Sequence, residues 1–103
     1  MIQNRFSAKV HRDLVLALES ARMRLSIAIA AETKSTPQDR RRYYLETTDQ
    51  MSRFIRKLRK ADVESPPDSQ GWTKALDRLG YLPTQIRAVR LCEVLRDIMT
   101  ELE

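Results

Sequence analysis

The sequence predicts an all-α fold, and three observations carry that prediction. Apolar residues recur at three- and four-residue steps over most of the 103 positions. Only two glycines occur, Gly71 and Gly80, both in the last third. Aromatic residues make up 6% of the chain, and β-branched residues are few. A strand-rich chain of this length needs more turn glycines and more of those side chains. The expected architecture is one helical-bundle domain over 1–103. A basic antiparallel hairpin of long helices occupies 1–62, a linker loop 63–71, and a pair of shorter helices 72–103.

The first helix is predicted from Ser7, as N-cap, to about Glu32. Val10, Leu14, Ala17, Leu18, Ala21, Leu25, Ala28 and Ile29 form one apolar stripe, and Leu16, Met23 and Ile27 form a second beside it. Two stripes imply a helix covered on two sides, inside a bundle or at a subunit contact. A turn at Thr33–Thr36 leads into a second helix with Thr36 as cap, Pro37 at the first helical position and Asp39 three residues on. That helix is expected to reach about Ala61, with Tyr44, Thr48, Met51, Phe54, Ile55 and Leu58 inward. Two long helices joined by a short turn form a hairpin.

The stretch DVESPPDSQG, residues 62–71, is polar, and its Pro-Pro pair bars helix continuation. Beyond it Trp72, Ala75, Leu76 and Leu79 mark a short amphipathic helix, with Gly80 expected as a left-handed C-terminal cap. A last helix is expected to open at Pro83-Thr84 and to turn Ala88, Leu91, Cys92, Leu95, Ile98, Met99 and Leu102 inward.

Charge is divided unevenly. Of nineteen cationic side chains fourteen are Arg. Residues 1–62 hold fourteen Lys/Arg against seven Asp/Glu, and residues 63–103 hold five against seven. Arg grips phosphate oxygens bidentately and never loses its charge. A basic half on a slightly acidic half therefore points to a polyanion on one face. The densest cluster is Arg40-Arg41-Arg42 in the first turn of the second helix. Cations there oppose the helix dipole by a few tenths of a kcal/mol each, about the size of a weak surface ion pair. A phosphate at that terminus supplies a reason for them. The bland alternative is a solvated charge run, partly neutralised by Arg42–Glu46 at i,i+4 and by Asp39. Arg53, Arg56, Lys57 and Lys60 share one face at the end of the same helix, where cations also suit the dipole. Such a face can track a phosphate backbone without reading bases. In an antiparallel hairpin Arg22 and Arg24 are expected to lie towards Arg40–Arg42 and extend that patch.

Nothing in the sequence points to a reaction. His11 and Cys92 are each alone of their kind, too few soft ligands for a zinc site. No Ser–His–Asp set, carboxylate pair, Gly-rich phosphate loop or HExxH spacing occurs. Neither catalytic residue, cofactor nor metal is therefore expected. His11 reads as a surface or half-buried helix residue, and Cys92 as a small buried hydrophobe. A lone cysteine and the absence of a secretory signal or long apolar run fit a cytoplasmic protein with no membrane role.

The span ALDRLGYLPTQIRAVR, residues 75–90, resembles the helix-turn-helix of small DNA-binding regulators over about twenty residues. Leu76, Gly80 and Ile86 match its spacing, and Thr84, Gln85, Arg87 and Arg90 are the side chains it implies for a major groove. Leu76, where a small residue is usual, and Pro83 in the turn depart from the pattern.

In size, basic charge, expected helical content and lack of catalytic motifs, the whole chain is similar to the helical small subunits of bacterial and archaeal CRISPR effector complexes. That resemblance is architectural, and no residue is carried over from it. It implies an RNA–DNA hybrid or displaced strand as ligand, and protein neighbours that include further copies of the same subunit. The favoured expectation is thus a non-catalytic subunit that grips nucleic-acid backbone without sequence preference, through Arg22, Arg24, Arg40, Arg41, Arg42, Arg53, Arg56, Lys57 and Lys60. A helical oligomerisation protein with no nucleic-acid role is the alternative, and a helix-turn-helix regulator the second.

Overall fold

In a computed structural model the chain is a bundle of four helices: α1 Ile2–Glu32, α2 Gln38–Arg59, α3 Ser69–Gly80 and α4 Ala88–Leu102. The structure describes residues 2–32, 36–60 and 69–103, and no strand occurs among them. At about 1.5 Å per residue the first helix alone is roughly 46 Å long, which explains the elongated 52 × 23 × 18 Å outline. The two longest helices, α1 and α2, pack antiparallel: Arg22 meets Ser52 in mid-helix, while His11 and Glu19 face Leu58 and Arg59 at the far end. α3 packs on α1 and α4, and α2 packs on α1 and α4, while among the described residues the backbones of α2 and α3 make no close approach to each other.

One core joins all four helices. Leu14, Leu18 and Leu25 of α1, Tyr44 and Met51 of α2, Trp72 of α3, and Leu91, Leu95 and Ile98 of α4 are buried in it. On α2 the inward positions are Tyr44, Thr47, Met51, Ile55 and Leu58, with the expected Thr48 and Phe54 only half-buried at the edges. Thr47 is fully buried, and its hydroxyl is satisfied twice. It donates to the Tyr43 carbonyl at 2.9 Å and accepts from Arg96 Nε at 2.7 Å. Arg96 also lays its guanidinium over the Tyr43 ring, 4.4 Å from the centroid, a contact that favours the planar, weakly hydrated cation of Arg. Burial pushes the Tyr43 hydroxyl above its ordinary value, and the Arg96 charge partly opposes that.

Several expected boundaries are corrected. α1 begins ahead of Ser7, which is therefore no N-cap. Thr36 does not cap α2 through its side chain: Pro37 occupies the cap position, and the Thr36 hydroxyl donates back to the Glu32 carbonyl at the end of α1. That bond uses one of the acceptors a helix C-terminus leaves open. α2 ends at Arg59 with Lys60 as its cap. The expected ends at Ala61 and in the Thr33–Ser35 turn, and most of the polar linker, fall outside the described residues. Ser69–Gly71, assigned to the linker from sequence, are already helical.

Gly80 is not a left-handed cap, because no described glycine has positive φ. α3 closes instead through Tyr81 N–H bonds to the Asp77 and Arg78 carbonyls, at 3.1 and 3.3 Å. α4 starts at Ala88 rather than at Pro83-Thr84. Arg24 explains part of that shift: its guanidinium reaches the Pro83 carbonyl, and Thr84 O at 3.4 Å, which ties this non-helical connection to α1.

His11 is half-buried at a three-way junction. Its Nε2 donates to the Leu58 carbonyl at 2.5 Å, and its ring packs on Trp72 at a centroid distance of 5.4 Å. It thereby ties α1 to the end of α2 and the start of α3. Cys92 is fully buried, and burial raises its thiol pKa, as suits a packing residue.

Candidate nucleic-acid interface

Helical geometry divides the Arg40–Arg42 cluster. Positions two apart on an α-helix point roughly 160° away from each other, so Arg40 and Arg42 cannot serve one surface. Arg40 turns towards α4 and lines a polar cleft of about 290 Å³ with Glu32, Thr36 and Arg87. Arg41 and Arg42 turn outward and border a shallow groove with Gln38, Leu45, Glu46 and Asp49. This outward face continues through Arg53, Arg56, Lys57 and Lys60, all exposed.

The cleft lies where two helices begin. α2 starts behind Pro37 and α4 behind Arg87, and neither has a side-chain cap. Both helix starts direct backbone N–H groups and the positive ends of their dipoles outward, and two guanidiniums stand beside them. Glu32 supplies a carboxylate, and its Oε2 accepts the Tyr44 hydroxyl at 2.8 Å. Burial, with that bond and the Glu32 charge, pushes the Tyr44 pKa up to about 12.

Ion pairing sorts the remaining cations. Arg53 pairs with Asp49 at 3.3 Å, and Arg59 pairs across the hairpin with Glu19. Arg22 donates to Ser52 Oγ at 2.9 Å. Its position opposite mid-α2 places it away from Arg40–Arg42, contrary to expectation. Arg24 is held by the α3–α4 connection and shares an apolar groove of about 560 Å³ with Arg87. Arg40, Arg42, Arg56, Lys57 and Lys60 join no ion pair among the described residues. Arg42 and Glu46, which the sequence could have paired, stay apart.

Arg87 belongs by sequence to the acidic half and is not expected beside Arg40, yet the packing of α4 on α2 brings the two together. No local pattern signals that, since the juxtaposition depends on tertiary packing. The helix-turn-helix resemblance loses its geometry here: Thr84, Gln85 and Arg87 lie in the connection before α4, and only Arg90 is on the helix. Arg90 itself pairs with Glu93 at 3.1 Å.

No described helix is long and apolar enough to cross a membrane. Comparison with protein-family models, curated proteins and solved structures found no match to this chain.

Proposed function

We propose that this chain is a non-catalytic subunit that binds the phosphate backbone of nucleic acid without sequence preference. One observation carries the reading: Arg42, Arg56, Lys57 and Lys60 stand along the exposed face of α2 with no intrachain ion pair among the described residues. An exposed surface pair contributes little to stability, so leaving these cations unpaired costs the fold almost nothing. It leaves them available to displace counterions from a polyanion. At about 1.5 Å per residue, Arg42 to Lys60 spans roughly 27 Å, enough to follow several successive phosphates. The Arg40–Arg87 cleft adds a second anchor, where helix dipoles and guanidiniums act together.

Binding of this kind orients a strand and neutralises it, but reads no bases. It suits a component of a larger ribonucleoprotein or effector assembly, in line with the resemblance to CRISPR small subunits. Anisotropy of a labelled random-sequence oligonucleotide, single- or double-stranded, over a salt series tests it: backbone grip gives a steep slope and indifference to sequence.

The rival reading, an oligomerisation protein with no nucleic-acid role, is favoured by a different observation. Leu16, Met23 and Ile27 remain 58–67% exposed on α1, so the second apolar stripe is uncovered within one chain. A scaffold of that kind predicts no salt-dependent binding.

A further inference from the structure

The uncovered stripe has a definite pattern. Leu16, Ser20, Met23, Ile27 and Ala30 follow one another at alternating four- and three-residue steps, and every one of them is exposed. That alternation is the seam of a two-stranded coiled coil, repeating every 3.5 residues. The seam lies on the side of α1 opposite Leu14, Leu18 and Leu25, which face the core. Ala17, Ser26 and Ala31 flank it, small enough for a second helix to approach closely. Leu16, Met23 and Ile27 are 58–67% exposed and together present roughly 300 Å² of apolar surface, within the range of the largest patch on a typical monomer, which is often functional.

Charge selects the occupant and its direction. Lys9 and Arg12 stand exposed on the N-terminal part of the same face, while the last turn of α1 carries no basic residue. The C-terminal end of a helix bears about half a negative charge. Two parallel copies would set Lys9 against Lys9 and Arg12 against Arg12. Two antiparallel copies set Arg12 beside the negative end of the other α1 and separate the two Lys9–Arg12 pairs. In that register Leu16 meets Ile27 of the second copy, and Ser20 meets Met23, so both halves of the seam are filled by the same contacts, as a twofold axis requires.

We propose that this chain forms a homodimer through antiparallel packing of α1 on α1 along Leu16, Met23 and Ile27. The dimer goes beyond the backbone-binding reading and does not depend on it, because the seam faces away from the core and uses none of the α2 cations. A dimer carries two cationic α2 faces on one particle.

Sedimentation equilibrium of the full chain without nucleic acid, from micromolar to near-millimolar concentration, tests the dimer. The expected result is a reversible shift to twice the 12.0 kDa of one chain. Met23→Glu, at an exposed position, should keep its helicity and weaken association by at least about tenfold. Disulfide trapping tests direction: L16C and I27C variants should cross-link when mixed and hardly at all when each is alone. A wild-type chain that stays monomeric throughout overturns the proposal and leaves the stripe to a different protein. A Met23→Glu variant that dimerises normally overturns the seam, and disulfides formed within L16C alone overturn the antiparallel direction.

Discussion

Arg40 and Arg87 are remote in sequence, yet they line one polar cleft, each beside the start of a helix without a side-chain cap. Each guanidinium opposes its own helix dipole, and each is exposed. The pairing cuts across the division of charge along the chain, because Arg87 belongs to the acidic half.

Arg87→Glu should therefore weaken oligonucleotide binding about as much as Arg40→Glu does. Replacing both by Ala should flatten the slope of log K against log salt by roughly 1 to 2, the share of two phosphate contacts. Arg90→Ala, whose side chain is paired with Glu93, should change little. Anisotropy at several salt concentrations checks all three. If Arg87→Glu is silent while Arg40→Glu is not, the cleft is not a joint anchor.

Gly80 offers a test of the fold in which sequence and structure disagree. A left-handed cap predicts that Gly80→Ala is strained. The helical backbone observed here, with open space around a Cβ at that position, predicts stabilisation by about 0.4–1 kcal/mol through the unfolded state. Urea denaturation of the two proteins decides the sign.

Tyr44 links stability to alkaline pH. Its pKa is raised to about 12 in the folded state, above the ordinary tyrosine value near 10. A raised folded pKa contributes stability that is complete below pH ~10 and is lost as pH rises through ~12. Tyr44→Phe should cost about 1 kcal/mol at neutral pH by removing the bond to Glu32, and should lose less stability between pH 10 and 12. Urea midpoints over that window, compared with wild type, measure it.

The seam between α1 and α2 is expected to tolerate no charge. Leu18 and Ile55 are 1% and 5% exposed, so Leu18→Asp or Ile55→Asp should cost several kcal/mol, on the scale of total domain stability. Arg96→Ala should cost less, about 1–3 kcal/mol, through the bond to Thr47 and the stack on Tyr43. Thermal melts rank the three variants, and a cooperatively melting Leu18→Asp protein would mean that α1 buries another face.

Much of this fold was legible in the residue pattern, because helix existence follows from periodicity and burial. The α1 stripe through Leu14, Leu18 and Leu25, the α2 stripe through Tyr44, Met51 and Ile55, and the α4 stripe through Leu91, Leu95 and Ile98 are all read from spacing alone. What spacing could not supply is tertiary. Ser7, Thr36 and Gly80 carry good local end signals, yet none acts as the expected cap. The Thr36 hydroxyl serves the preceding helix instead, and Arg24 holds residues 83–84 out of α4. The candidate interface follows the same rule. The shared face of Arg53, Arg56, Lys57 and Lys60 is a matter of period 3.6, whereas the meeting of Arg40 with Arg87 and the engagement of Arg22 by Ser52 depend on how helices pack.

Phosphate binding by the exposed cations of α2 is tested most directly by one salt titration. Affinity for a random-sequence oligonucleotide should fall with a slope of log K against log salt on the order of −3 to −5, as four to six contacts require. Arg56→Ala/Lys60→Ala should flatten that slope by roughly 1 to 2, equally for every sequence tested. A slope near zero, or a double variant that binds as wild type does, contradicts phosphate binding by α2.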